Sequence, residues 1–238
     1  MKILITNDDG YLSPSILRLA KWATKLGEVT LIAPKSEQSG KSQSIDFCSE
    51  IEIKKVDLDP SIRAYYVDST PADCVRFATA GLCEDFDLLF SGINYGYNLG
   101  DDIVYSGTIG AIYEGARVGI KGIALSTDTP SFDAAYANLD KIYDFICENK
   151  LLECGDLYNV NIPLEVKGIK ITRQGGIYFS DRFVQRGENT YVQEGEPVPT
   201  EIPNLGKDID AMRAGYISIT PLVASRTDFT AYEKLKNI

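Results

Sequence analysis

The sequence predicts an α/β protein: a mostly parallel sheet with helices on both faces, followed by β-hairpin or arm elements towards the C-terminus. Three observations predict it. Short apolar strand signals alternate with helix signals of period 3.6 through residues 1–156. Small polar clusters recur just beyond those strands. From about Leu157 the pattern changes to strand signals separated by polar, Gly- and Pro-containing turns. Alternating βα units imply parallel strands and right-handed crossovers.

Each element has its own local reason. Lys2–Thr6 is a short apolar run and reads as a buried strand. Ser13-Pro14 is an N-cap followed by proline at the first helical position. It opens a helix through Ile16, Leu17, Leu19, Ala20, Ala23 and Leu26 that stops at Gly27. Val29–Ala33 is a second strand, and Ile51–Leu58 and Arg63–Val67 are two more around the Asp59-Pro60 turn. Thr70-Pro71-Ala72-Asp73 is a capping-box start for a helix to about Leu82. Asp87–Phe90 is a strand, and Ser91–Gly107 a Gly/Asn-rich loop. Thr108 to about Val118 is a helix, Gly122–Ser126 a strand and Phe132–Asn149 a helix. In the last part Val160–Pro163, Gly168–Arg173, Tyr191–Glu194 and Gly215–Pro221 read as strands, and Ala231–Lys236 as the one clear helix. No repeat, low-complexity tract or Gly/Ser linker divides the chain. We take residues 1–156 as the α/β core and 157–238 as an extension that completes it and mediates oligomerisation.

The composition, 44% hydrophobic and 24% charged, is that of a globular protein and excludes a disordered or collagenous one. No apolar run reaches the roughly 18–20 residues of a membrane span. The first strand turns polar at Thr6-Asn7 too soon for a secretory signal, so the expected setting is cytoplasmic. Histidine is absent, which excludes Ser-His-Asp triads, Cys-His pairs and His-ligated zinc. The five cysteines contain no C-x-x-C and fit a reducing compartment. A metal, if used, should be a hard ion with oxygen ligands, Mg²⁺ or Mn²⁺. The net charge of −10 disfavours a nucleic-acid duplex, and an anionic substrate would need local compensation.

The polar clusters lie where a doubly wound sheet binds ligands, beyond the carboxyl ends of its strands. They are Asn7-Asp8-Asp9-Gly10, Ser36–Ser39, Ser69–Asp73 and Ser91–Gly107. Asp8 and Asp9 are the sharpest pair. Two adjacent carboxylates repel, and a divalent cation relieves that repulsion. N-D-D-G is equally good chemistry for a solvated Asx turn, so both readings stand at this point. Ser106-Gly107-Thr108 opens a helix whose free N–H groups suit an anion, or simply caps it. Tyr95, Tyr97 and Tyr105 could stack on a base or pack the loop down. Gly40-Lys41-Ser42 imitates the end of a phosphate loop, but Lys35 stands where its first glycine is required. Cys74, with no base beside it, reads as a small buried hydrophobe.

These motifs together resemble the SurE family of metal-dependent 5′/3′-nucleotidases. The matches are I-L-I-T-N-D-D-G at 3–10, A-P-x-x-E-Q-S-G at 33–40 and S-T-P-A-D-C-V at 69–75. They continue with S-G-I-N-Y-G-Y-N-L-G at 91–100, Y-S-G-T at 105–108 and G-Y-I-S-I-T-P-L at 215–222. The resemblance implies a Rossmann-like core with C-terminal arms exchanged between subunits in a homodimer or tetramer. It implies hydrolysis of nucleoside 5′- and 3′-monophosphates, with room for a side activity on short polyphosphate. It carries one divalent cation per subunit onto Asp8, Asp9, Ser39 and Asn94, and phosphate contacts onto Asn98, Ser106, Gly107 and Thr108. The segment Ile177–Asp208 has no match in the family pattern, and Ser42-Gln43-Ser44 and Tyr95 depart from it.

With no histidine to act as base, a metal-activated water is the natural nucleophile, oriented or deprotonated by Asp8 or Asp9. Two alternatives are a non-catalytic nucleotide sensor using the same cleft and a phosphatase with a covalent phospho-aspartate at Asp8. The strands beyond Leu157 have few helices to cover them, and uncovered edges pair with other chains.

Overall fold

The computed structural model describes residues 1–128 and 131–238. The first β-strand, β1 (Lys2–Thr6), is followed by helix α1 (Pro14–Ala23), then β2 (Glu28–Pro34), β3 (Ile53–Asp59) and β4 (Ile62–Val67). Helix α2 (Pro71–Arg76), β5 (Leu88–Tyr95), α3 (Gly107–Ala116), β6 (Lys121–Thr127), α4 (Asp133–Glu148), the one-turn α5 (Leu151–Cys154) and β7 (Leu157–Ile162) come next. The chain then adds β8 (Gly168–Ile171), β9 (Phe179–Gly187), β10 (Thr190–Pro197), α6 (Asp208–Arg213), β11 (Tyr216–Leu222) and α7 (Phe229–Leu235).

Nine strands form one sheet in the order β3-β4-β2-β1-β5-β6-β7-β11-β8. The run β4-β2-β1-β5-β6-β7 is parallel throughout. The chain builds outward from β1 through β2 to β4, then returns to place β5 on the other side of β1. The strand order therefore reverses between β1 and β5, the place in doubly wound sheets beyond whose carboxyl ends ligands bind. β1 shows why these strands are apolar on both faces. Ile3 and Ile5 pack with α1 and α4 residues such as Ile16, Leu19, Leu139 and Ile142. Leu4 packs on the opposite face with Cys74, Val75, Ile109 and Ile112 of α2 and α3.

The expected caps are present. Ser13 Oγ accepts from Ser15 N, Thr70 Oγ1 from Asp73 N and Ser106 Oγ from Ile109 N. The first helix stops at Ala23, short of Gly27, and the second is α-helical only to Arg76 before a π-turn over Phe77–Gly81. The segment Ser91–Gly107, expected as one loop, holds two ordered pieces. β5 continues to Tyr95 after a bulge, because Asn94 and Tyr95 re-pair with Ser126 and Thr127 of β6. A 3₁₀ segment then covers Gly100–Tyr105.

Beyond Leu157 the strands divide. β7, β11 and β8 extend the main sheet, with β11 antiparallel to β7 and parallel to β8. β9 and β10 form a separate antiparallel hairpin. β9 is exposed along most of both faces, so it lacks the alternation that marks a half-buried strand. The sequence reading also missed α6, whose residues are buried all round up to Arg213, leaving no amphipathic stripe to detect. Among the described residues no helix is long and apolar enough to cross a membrane.

Candidate active site

The β1–α1 turn is closed by Asn7. Its Oδ1 accepts from Gly10 N at 3.2 Å and its Nδ2 donates to Gly10 O at 3.0 Å. Gly10 takes the left-handed φ of +96° that the turn requires. The Asx chemistry of N-D-D-G thus belongs to Asn7, and neither aspartate is used up by it.

Asp8 is only 4% exposed. Its Oδ1 accepts from Thr108 Oγ1 at 2.7 Å, and its backbone oxygen accepts from Gln38 N at 2.7 Å. Burial pushes its carboxyl above the usual range, opposed by the Thr108 hydroxyl and backbone. Gly107 is packed against it: a Cβ there would lie 3.0 Å from Asp8 Cβ and 3.1 Å from Asp8 Oδ2. Asp9 sits beside it. Burial first, and the charge of Asp8 second, push its carboxyl up to about 6, against a hydrogen bond from the Tyr95 backbone. Its Oδ2 is buried and has no hydrogen-bond partner among the described residues. An unsatisfied carboxylate oxygen beside a second carboxyl is unfavourable for the protein alone and marks a place for a cation or donor.

The second loop brings Glu37 close enough to raise both aspartates. Ser39 is exposed and donates its hydroxyl to Glu37 Oε1 at 2.7 Å, so it is tied to the carboxylate pair through Glu37. The third loop begins at the β5 bulge. Gly92 has φ of +135°, and a Cβ on it would meet Leu125 O at 2.3 Å. Only glycine fits, and the bulge re-aims the two residues that follow. Asn94 donates from Nδ2 to Gly96 O at 2.8 Å, which leaves its Oδ1 as an available oxygen.

Asn98, expected on the phosphate side, lies over β6 and β7. Its Nδ2 donates to Ser126 Oγ at 2.8 Å, and its backbone carbonyl accepts from Asn159 and Asn161. Ser106 and Thr108 have their hydroxyls engaged by Ile109 N and Asp8, and the Thr108 backbone also bonds Asp8, so the start of α3 keeps few donors of its own for an anion. Tyr97 is half-buried against Leu99, Ile209 and Met212, whereas Tyr95 and Tyr105 are exposed. Cys74 is buried, and desolvation pushes its thiol well up, as expected of a packed rather than reactive residue.

The structure therefore brings together Asp8, Asp9, Gly107 and Thr108, with Asn94 beside Tyr95 at the same edge. Among the described residues no group of three or more His, Cys, Asp or Glu could hold a metal ion by itself. An ion here would rest on two carboxylates and neutral oxygens. That donor set fits a hard divalent ion, which commonly keeps waters and substrate oxygens in its shell. The sequence reading missed Glu37, Ser126, Asn159 and Asn161. The last two had a signal in N-V-N-I, polar residues alternating inside an apolar strand.

The family model described as survival protein SurE matches residues 3–181. The 5′-nucleotidase SurE of Legionella pneumophila strain Philadelphia 1 is 35% identical over all of this chain and 97% of its own length. That of Thermosipho melanesiensis is 36% identical over 99% of this chain and 96% of its own. The crystal structure of the SurE protein from Aquifex aeolicus superposes with a TM-score of 0.80 at 33% identity, covering 100% of this chain and 99% of that one. The matched residues include the N-D-D-G turn, the β5 bulge and the start of α3, and on this ground the chain belongs to the SurE family.

Proposed function

We propose that this chain is a nucleotidase that hydrolyses nucleoside 5′- and 3′-monophosphates with one Mg²⁺ or Mn²⁺ per subunit, held by Asp8, Asp9, Asn94 and Ser39. The observation that carries the reading is the buried, unpartnered Asp9 Oδ2 beside Asp8 at the strand-order reversal. The 5′-nucleotidase name of its full-length relatives supports it.

When bound, a divalent ion neutralises the paired carboxylates and makes a nearby water more acidic than bulk water. The chain's own groups then have separable tasks. Asp8 is fixed by Thr108 and is a poor candidate for moving a proton. Asp9, whose Oδ2 has no protein partner among the described residues, is the carboxylate placed to orient the attacking water. Backbone N–H groups at the start of α3, and the remaining N–H of the Asn98 amide, meet the phosphoryl oxygens as charge develops on them. Self-association through the β9–β10 hairpin and α7, with short polyphosphate as a secondary substrate, belongs to the same proposal. All five cysteines are free and four are exposed, which suits a reducing, cytoplasmic setting.

The test is phosphate release from 5′- and 3′-nucleoside monophosphates and tripolyphosphate by chelator-treated protein, with and without added Mn²⁺ or Mg²⁺. The expected result is release from nucleotides that depends on the added ion. Tight binding of nucleotides without release would replace this reading with a sensor, and release that survives exhaustive chelation would remove the metal from it.

A further inference from the structure

Strand β7 has strands on both sides, β6 and β11, and all six of its residues are buried. A strand in that position is normally apolar throughout. Here Val160 and Ile162 follow the rule, whereas Asn159 and Asn161 share the other face and are 1% and 0% exposed. Apolar residues would fill the same space without burying two amides.

Both amides are turned on one backbone unit. Asn161 Oδ1 accepts from Asn98 N at 2.8 Å, and Asn161 Nδ2 donates to Asn98 O at 2.7 Å. One side chain thereby pairs with the donor and the acceptor of a single loop residue, as a neighbouring strand would. Asn159 Nδ2 donates to the same carbonyl at 2.8 Å, so both lone pairs of Asn98 O are taken. Asn161 Nδ2 also reaches Asn159 Oδ1 at 3.3 Å, which ties the two amides together. The Asn98 side chain is held in turn by Ser126 Oγ on β6. A network satisfied at this many points holds a single geometry.

We infer that Asn161, assisted by Asn159, is a positioning residue: it locks the Asn98 backbone so that the Asn98 amide keeps one N–H directed to the phosphoryl group of the substrate. The inference rests on the function proposed above and extends it to two residues of β7 that touch neither the carboxylate pair nor, in this scheme, the substrate. It separates two parts of the site. The cation ligands hang from β1, β5 and the loop after β2. The phosphate contact at Asn98 hangs from β6 and β7. Damage to the clamp should therefore weaken the hold on phosphate and spare the hold on the cation.

The experiment is calorimetric titration of chelator-treated wild type, Asn161→Ala, Asn159→Ala and Asn98→Ala with Mn²⁺ alone, and then of the Mn²⁺-loaded proteins with inorganic phosphate. Steady-state kinetics on a nucleoside 5′-monophosphate accompany it. Asn161→Ala should weaken phosphate binding about tenfold or more, since it leaves the Asn98 N–H unpaired and takes one of two donors from the Asn98 carbonyl. Mn²⁺ binding should stay within about twofold of wild type, because its ligands are elsewhere. KM should rise by a larger factor than kcat falls. Asn159→Ala, which removes one of two donors to the same carbonyl, should do the same to a smaller degree and serves if Asn161→Ala does not fold. Asn98→Ala combined with Asn161→Ala should be little worse than either alone. Folded variants of both asparagines that bind phosphate like wild type would overturn the inference, as would equal losses of phosphate and Mn²⁺ binding. Wild type that binds Mn²⁺ but neither binds nor releases phosphate would instead overturn the functional reading on which it rests.

Discussion

At the carboxyl edge of β1 and β5, polar groups are buried: Asn7, Asp8, Ser91 and Thr108 are all under 5% exposed. In the β9–β10 hairpin and α7 the situation is reversed. Phe183 is 71% exposed, and Tyr191, Phe229 and Leu235 are each more than half exposed. Both regions break the usual inside–outside rule. The hydrogen bonds show what the difference means. At the sheet edge Asn7, Asp8 and Thr108 have protein partners, whereas Thr6 Oγ1, Ser91 Oγ and Asp9 Oδ2 are left without one among the described residues, and Asp8 and Glu37 raise the Asp9 carboxyl. On the proposed reading, a small charged or donating species would satisfy that region. In the hairpin and α7 the unsatisfied quantity is apolar area, which a small ion cannot cover and a second chain can. On the function proposed above, one region would take a ligand and the other a polypeptide.

The largest effect should come from the carboxylates. Asp8→Asn and Asp9→Asn keep the size and an oxygen but remove the charge. Nucleotidase activity should fall by about a hundredfold or more, while the apo protein melts at the same temperature or higher because a like-charge repulsion has gone. Wild type should gain thermal stability on adding Mn²⁺ and the variants much less. If both variants turned over normally at limiting metal, the sheet edge would be no more a ligand site than the hairpin.

Gly107→Ala tests how tightly that edge is packed. The new methyl would meet Asp8 Cβ, Asp8 Oδ2 and, at 3.3 Å, Pro71 Cγ. A destabilisation of about 1–3 kcal/mol in denaturant unfolding is expected, together with a loss of activity from the displaced carboxylate.

The pH dependence of apo stability sharpens the comparison next. The Asp9 carboxyl stands at about 6 in the fold against an ordinary 3.8, because of burial and then Asp8. The folded chain thus holds this proton more tightly than the unfolded chain does. Its contribution to stability is fully present below 3.8, falls away as the pH rises to about 6, and is flat above that. Asp9→Asn should remove that part of the slope, and Mn²⁺ should restore wild-type stability above about pH 6. Unchanged slopes in melts of the variant would show that the pair is better solvated than its burial indicates.

The smallest effect on the protomer should come from the exposed region. Helix α7 buries none of its residues. Removing residues 229–238, or changing Phe183→Ser, should alter protomer unfolding by no more than about 0.5 kcal/mol. The same changes should lower the molar mass seen by light scattering at micromolar concentration. A wild type that is monomeric there would end the reading of this region as an interface.

The alternation of apolar strands and capped helices was enough to indicate the α/β class, because period and caps are local properties of the chain. The N-D-D-G turn and the start of α3 stood out as candidates for the same reason, with a structural reading of each left beside the functional one. The tertiary structure decided everything that depends on which strands become neighbours. It set the return of the chain across β1 that brings Asp8 to Thr108. It extended β5 through a bulge that no local pattern announces, since the bulge exists only against β6. It assigned the Asx turn to Asn7 and left Asp9 Oδ2 unpaired, a distinction that N-D-D-G leaves open. It joined Asn161 to Asn98 across 63 positions of sequence. Hydrogen bonds between distant segments need the chain to be closed on itself first, and nothing in the spacing of residues along it carries that information.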